Sequence, residues 1–204
     1  MIIKDKNFKS IDEALKDKNA RVRITALTHF SITSQHISYA LRDEDYLVRE
    51  TAIQHKNATI QHISQALQDK SWYVRYAATQ HPKATSQHIS QALKDKSPDI
   101  REMAIQHPKA TTQHIAHALQ DNMSQVRIAA IKNPKATVKH ISQALKDKNP
   151  WVRYYAINHP KVNLKHIQQA LQHKDKNIKY IAQKLYNKLN GLQRVIIRRK
   201  YKIK

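Results

Sequence analysis

The segment HISQALKDKSPDIREMAIQHPKATTQ, residues 88–113, is one complete copy of a unit that recurs along the chain. Its His-Ile start returns at His36, His62, His88, His114, His140 and His166, always 26 residues apart. Ser10-Ile11 begins a degenerate copy one period earlier, so the 204 residues hold about seven registers. A repeat of this length is the first thing to establish, because it dictates architecture.

Each copy reads as two short helices. Thr85, Thr111 and Thr137 are placed to cap a first helix, whose apolar face in the quoted copy is Ile89, Ala92 and Leu93, at i, i+3 and i+4. After the Asp-Lys break a second cap follows at Asn19, Asp45, Ser71, Ser97, Asn149 or Asp175, with Pro98 and Pro150 at the favoured first helical position. The second helix offers Val74 and Ala78, Ile100 and Ala104, or Val152 and Ala156 to the core. It ends at His81-Pro82, His107-Pro108 and His159-Pro160, since proline disfavours helix in the residue before it. So short a pair cannot cover its own apolar face, and stacking on the next pair completes the core. The expected fold is all-α: a right-handed α-solenoid of about seven repeats. Residues 1–9 are an N-terminal cap segment, 10–175 the repeats, and 176–204 a basic capping helix and tail.

Composition agrees. One glycine and six prolines in a chain that is 40% hydrophobic suit neither a turn-rich β-sandwich nor a disordered polymer. Cysteine is absent, which removes disulfides and thiolate metal sites. The N-terminal MIIKDKNFKS carries charge where a signal peptide needs an apolar run, and no stretch approaches the ~18 apolar residues of a membrane span. A soluble protein is expected, either intracellular and cytoplasmic or released without a signal.

Asp69-Lys70…Val74-Arg75, Asp95-Lys96…Ile100-Arg101 and Asp147-Lys148…Val152-Arg153 resemble the Asp…Val-Arg signature of HEAT-type repeats. The short period and the Asn/His-Pro…Ala-Thr connector are closer to the variant-leucine-rich and alkylpurine-glycosylase-like branch of that superfamily. Similar Ala-Thr…His-Ile-Ser…Ala-Leu arrays occur in uncharacterised phage proteins, and a phage-encoded chain is expected in the host cytoplasm or virion. The resemblance covers about residues 10–185. It implies a structural ladder between neighbouring units, formed by Asp43, Asp69, Asp95, Asp121 and Asp147 with Arg49, Arg75, Arg101, Arg127 and Arg153. It also implies that the second helices line a concave surface.

Charge is the strongest functional signal. The chain has 37 Lys+Arg against 15 Asp+Glu, a net of +22. Residues 1–121 hold 17 basic and 13 acidic side chains; residues 122–204 hold 20 basic and only Asp147 and Asp175. Such asymmetry points to a polyanionic partner, nucleic acid or an acidic protein. Lys83, Lys109, Lys135 and Lys161 follow the His-Pro turn and line one edge, where they suit phosphate contact or simply keep a turn solvated. Lys146 and Lys148 add charge at the other turn. From Lys176 onward there are ten basic residues and no acid, among them Arg194, Arg198, Arg199, Lys200 and Lys202. Leu185, Leu189, Leu192 and Ile196 form a helical stripe there, Gly191 offers a stop, and residues 192–204 are expected to stand outside every repeat core.

The remaining candidates each have a plainer reading. The 13 histidines invite a metal, but equivalent ones lie ~10 Å apart and Asn133 replaces one, so helix-end hydrogen bonding is expected and no metal or cofactor. Trp72, Tyr76, Trp151 and Tyr154 could stack on bases, grip a partner, or fill gaps between alanine-rich helices. The glycosylases of the resembled branch place an acid about one turn from a cleft tryptophan. Here Tyr76 and Tyr155 stand four residues after Trp72 and Trp151. Binding without catalysis is the expectation.

Overall fold

The computed structural model describes residues 10–201, with side chains through Ile197. The N-terminal cap segment 1–9, Lys202, and the side chains of Arg198, Arg199 and Lys200 lie outside the described residues. Every regular element among those described is helical.

The chain divides into two compact units, residues 1–109 and 110–204. The first holds α1 (Ile11–Ala14), α2 (Ala20–Leu27), α3 (Ser34–Ala40), α4 (Tyr46–Gln54), α5 (Ile60–Ala66), α6 (Trp72–Gln80), α7 (Ser86–Ala92) and α8 (Pro98–Gln106). In it α2 packs on α4, α4 on α6 and α6 on α8. The second holds α9 (Thr112–Ala118), α10 (Ser124–Lys132), α11 (Val138–Ala144), α12 (Pro150–Ile157), α13 (Leu164–Leu171), α14 (Lys176–Asn187) and α15 (Gly191–Tyr201). There α10 packs on α12, α12 on α14, and α15 lies against α13.

Helices of seven residues are far below the ~12–15 at which an isolated helix holds in water, so caps and packing must hold them. Ile89, Ile100, Ala104, Val152 and Ala156 are fully buried, and so are Val74 and Ala78. Each isoleucine so placed is worth ~1.5–3 kcal/mol of burial. Thr85 and its equivalents cap the first helices as expected, accepting the His88 amide N–H. Asn19, Asp45, Asn149 and Asp175 cap second helices with side-chain oxygens. Ser71 and Ser97 do not.

The C-terminal expectations need correction. Helix α14 starts 26 residues after α12, so it is the second helix of the seventh pair, and a boundary at residue 175 cuts that pair. Gly191 does not stop a helix. It opens α15, because Asn190 Oδ1 accepts the Gln193 N–H at 2.9 Å while Gln193 Oε1 accepts the Asn190 N–H at 3.1 Å. That break rotates the stripe: Leu192 and Ile196 are exposed, and Ile197 is fully buried against Ile167 and Tyr186. Residues 192–204 therefore do include core.

Candidate functional site

The Asp–Arg ladder joins units at an offset of 20 residues. Arg75 Nε and Nη2 donate to the two carboxylate oxygens of Asp95, at 2.6 and 3.2 Å. Its Nη1 donates to the Asp69 carbonyl, six residues back, at 2.9 Å. The pattern recurs for Arg23 with Asp43, Arg49 with Asp69, and Arg127 with Asp147. Arg153 reaches Asp175 through Nη2, leaving its buried Nε unpaired. Arg101 Nη1 donates to the Asp95 carbonyl in the same way. The ladder acids also shape the chain locally. Asp95 Oδ1 accepts the Ser97 N–H, turning the backbone into α8, as Asp69 does for Ser71 and Asp121 for Met123. Burial pushes the Asp69 carboxyl up, but Arg49 and the Ser71 N–H outweigh that and hold it below its ordinary value.

The histidines form two sets, and both serve the backbone. In the first, His88 Nδ1 accepts the Thr85 N–H at 3.0 Å, closing a capping box in which imidazole does the work usual for Glu or Gln. His62, His114, His140 and His166 repeat it. With Nδ1 accepting, the ring proton sits on Nε2, which lies 2.9 Å from Ser64 Oγ for His88 and 2.7 Å from Ser38 Oγ for His62. Ser64 in turn donates to the Ile60 carbonyl. A protonated Nε2 cannot take a proton from serine, so these pairs are not activated nucleophiles. In the second set Nδ1 of His55, His81, His107 and His159 accepts the N–H two residues on, at 3.0–3.1 Å. Asn133 Oδ1 does the same for Lys135 at 2.9 Å, which is why asparagine can stand there. No group of three or more potential ligands gathers among the described residues.

The lysine edge has an internal role that spacing did not disclose. Lys83 Nζ donates to the carbonyls of Lys56 and Ala58, at 2.7 and 3.1 Å. Lys109 reaches the Pro82 carbonyl, Lys135 that of Ala110, and Lys161 those of Pro134 and Ala136. One register earlier Asn57 Nδ2 donates to the Ile32 carbonyl at 2.6 Å. The four ammonium groups thus pin one connector to the one before it. Their side chains remain exposed, as do those of Lys146 and Lys148.

The aromatic candidates separate. Trp72 stacks on Tyr76 at 5.0 Å and donates Nε1–H to Ser97 Oγ at 3.2 Å, so both are half-buried filling. Trp151 and Tyr154 meet edge to face at 5.8 Å and stay 60% and 41% exposed. Together with Tyr180, another second-helix aromatic, they line a cavity of about 410 Å³ between α12 and α14.

No family model matches the sequence, and no curated protein matches it. Among solved structures, the chain is similar to a leucine-rich repeat variant described as having a novel repetitive structural motif. The identity is 17%, the TM-score 0.69, and the match covers 86% of this chain and 71% of that one. The fold is an α-solenoid. A second structure, the Escherichia coli YibA protein, is 20% identical with a TM-score of 0.32, covering 88% of this chain and 69% of that one.

The solenoid thus brings Trp151, Tyr154 and Tyr180 together on the second unit. It spends the ladder residues on joining neighbouring repeats and most histidines on capping helices and fixing connectors. No helix among the described residues is long and apolar enough to cross a membrane.

Proposed function

We propose that the protein is a non-catalytic solenoid that binds nucleic acid through the phosphate backbone by a basic edge and C-terminal tail, with most of the binding charge on the second unit. One observation carries this reading. Residues 122–204 contain two acids, Asp147 and Asp175, and both are bound to ladder arginines, Arg127 and Arg153. The exposed basic side chains of that stretch, Lys146 and Lys148 among them, therefore meet no competing free carboxylate in it. Arg194 donates to the Asn187 and Leu189 carbonyls and fixes the start of α15, from which Arg198, Arg199, Lys200 and Lys202 follow in sequence.

Lys83, Lys109, Lys135 and Lys161 serve this reading as charge rather than as free hands. An ammonium group has three N–H donors, and those that hold a connector still leave the full positive charge at the edge. Backbone recognition needs charge at roughly the right spacing and no base readout. On this reading the repeats belong with the HEAT-like superfamily and act in the cytoplasm, or in the host cytoplasm or virion if phage-encoded. A scaffold for an acidic protein is the second reading, favoured by the exposed Trp151 and Tyr180.

The test is a gel-shift series at several salt concentrations with duplex DNA, RNA and an acidic protein. Binding to nucleic acid whose log affinity falls linearly with log salt supports the proposal. Retention of the acidic protein alone replaces it with the scaffold reading.

A further inference from the structure

We infer that the groove between α12 and α14 is a stacking site for an unpaired nucleobase, which makes single-stranded nucleic acid the preferred ligand. This rests on the nucleic-acid reading above and sharpens it. Trp151 and Tyr180 are 60% and 62% exposed, so their ring faces are open to a ligand. They border a cavity of about 410 Å³ also lined by Ile178 and Ile181, within the range of small-ligand pockets. The one carboxylate lining it, Asp175, is bound to Arg153 and accepts the Asn177 N–H. The groove therefore offers apolar faces with no free anion.

Its surroundings are cationic. Lys184 Nζ lies 4.5 Å from the centre of the Tyr180 ring, and Lys132 Nζ lies 5.1 Å from that of Tyr155, the residue beside Tyr154. Lys176 and Lys179, at the start of α14, are exposed. Aromatic faces for a base, with ammonium groups for its phosphates, are the combination that holds a single strand. In a duplex the base faces are already stacked and cannot reach these rings. A protein partner fits less well, because lysine is depleted from the centre of protein interfaces. The first unit supplies an internal contrast. Tyr46 and Tyr73 also stack in the open, at 5.2 Å, but in a stretch that carries Glu44 and Glu50. That platform has the rings without the charge balance.

The experiment compares a short oligothymidylate with a blunt duplex of the same length, by fluorescence anisotropy at one salt concentration. The proteins are the full chain and its Trp151→Ala, Trp151→Phe and Tyr73→Ala variants. Trp151→Ala should weaken single-strand binding about 5- to 100-fold and leave duplex binding nearly unchanged. Trp151→Phe should retain most of the affinity, and Tyr73→Ala all of it. Because Trp151 is exposed, its loss should not unfold the chain, and circular dichroism checks that. In a Trp72→Phe background, Trp151 is the sole tryptophan, and its fluorescence should be quenched by oligothymidylate. Equal losses on both ligands, or no loss and no quenching, would overturn the stacking site while leaving backbone binding intact. If the parent binds neither nucleic acid, the function proposed above fails with it. If polyglutamate binds and Trp151→Ala abolishes that binding, the groove belongs to an acidic protein and the inference is wrong.

Discussion

Lys83 and Asn57 occupy the same position one period apart, and each donates to a carbonyl of the preceding connector. The position therefore asks for a donor more than for a charge. Lys83→Asn should leave stability within ~0.5 kcal/mol of the parent, whereas Lys83→Leu should cost ~0.5–1.5 kcal/mol, the net worth of a hydrogen bond. Urea unfolding of the three proteins decides it; equal midpoints would make the bonds idle. The same residues show where sequence reading stops. That lysines line one edge follows from the period alone, but the aim of a flexible four-carbon chain does not. Asn57 was the one clue, since a neutral residue does not fit a row kept for phosphate. The Asp–Arg ladder was more legible because both partners recur rigidly. Even so, the carboxylate partner lies 20 residues on, while the residue six back supplies its carbonyl.

A helix of seven residues depends on its first turn, and here that turn depends on a neutral imidazole. Burial pushes His62, His88, His114, His140 and His166 below the ordinary histidine value. It does the same to His55, His81 and His159 at the ends of second helices. Protonating Nδ1 would also remove the acceptor of each cap. The folded chain thus binds fewer protons than the unfolded chain, whose histidines titrate near ~6.5. Stability is full above that value and falls as the pH drops through it toward the lower folded values. The melting temperature should therefore be lower at pH 5.5 than at pH 7.5. His88→Gln, which keeps an acceptor for the Thr85 N–H without titrating, should reduce that difference. A pH-independent melt would show that the caps do not sense protons. Helix positions were legible in the Thr-x-x-His-Ile spacing, yet the tautomer was not, since it depends on which backbone N–H faces the ring. The break before α15 had a signal of its own: Gly191 taken alone suggests an end, but Asn190 followed three residues later by Gln193 is a capping-box pattern that makes it a beginning.

Across the whole chain, the period was enough to specify an all-helical repeat, because each copy exposes an apolar face that only another copy covers. The site was less legible. Charge asymmetry marked the C-terminal half, and Trp72 and Trp151 stand one position apart within their units, a turn of about 100° on a helix; which of them packs and which stays open is a matter of the neighbours each meets. The same distinction governs truncation. Removing residues 192–204 takes away Ile197 and uncovers Ile167 and Tyr186, so any drop in affinity would be confounded with damage to the fold. Removing residues 198–204 keeps Ile197 and deletes Arg198, Arg199, Lys200, Lys202 and Lys204. That shorter deletion should leave the melting temperature unchanged and lower the salt-dependence slope on duplex DNA by ~0.9 for every phosphate the tail had neutralised. Lys146→Gln with Lys148→Gln should weaken binding on all duplex sequences alike, since backbone contacts carry no sequence information. An unchanged slope after the deletion would take the tail out of the interface and leave the attraction to the repeats, where the Lys146 and Lys148 substitutions would then have the larger effect.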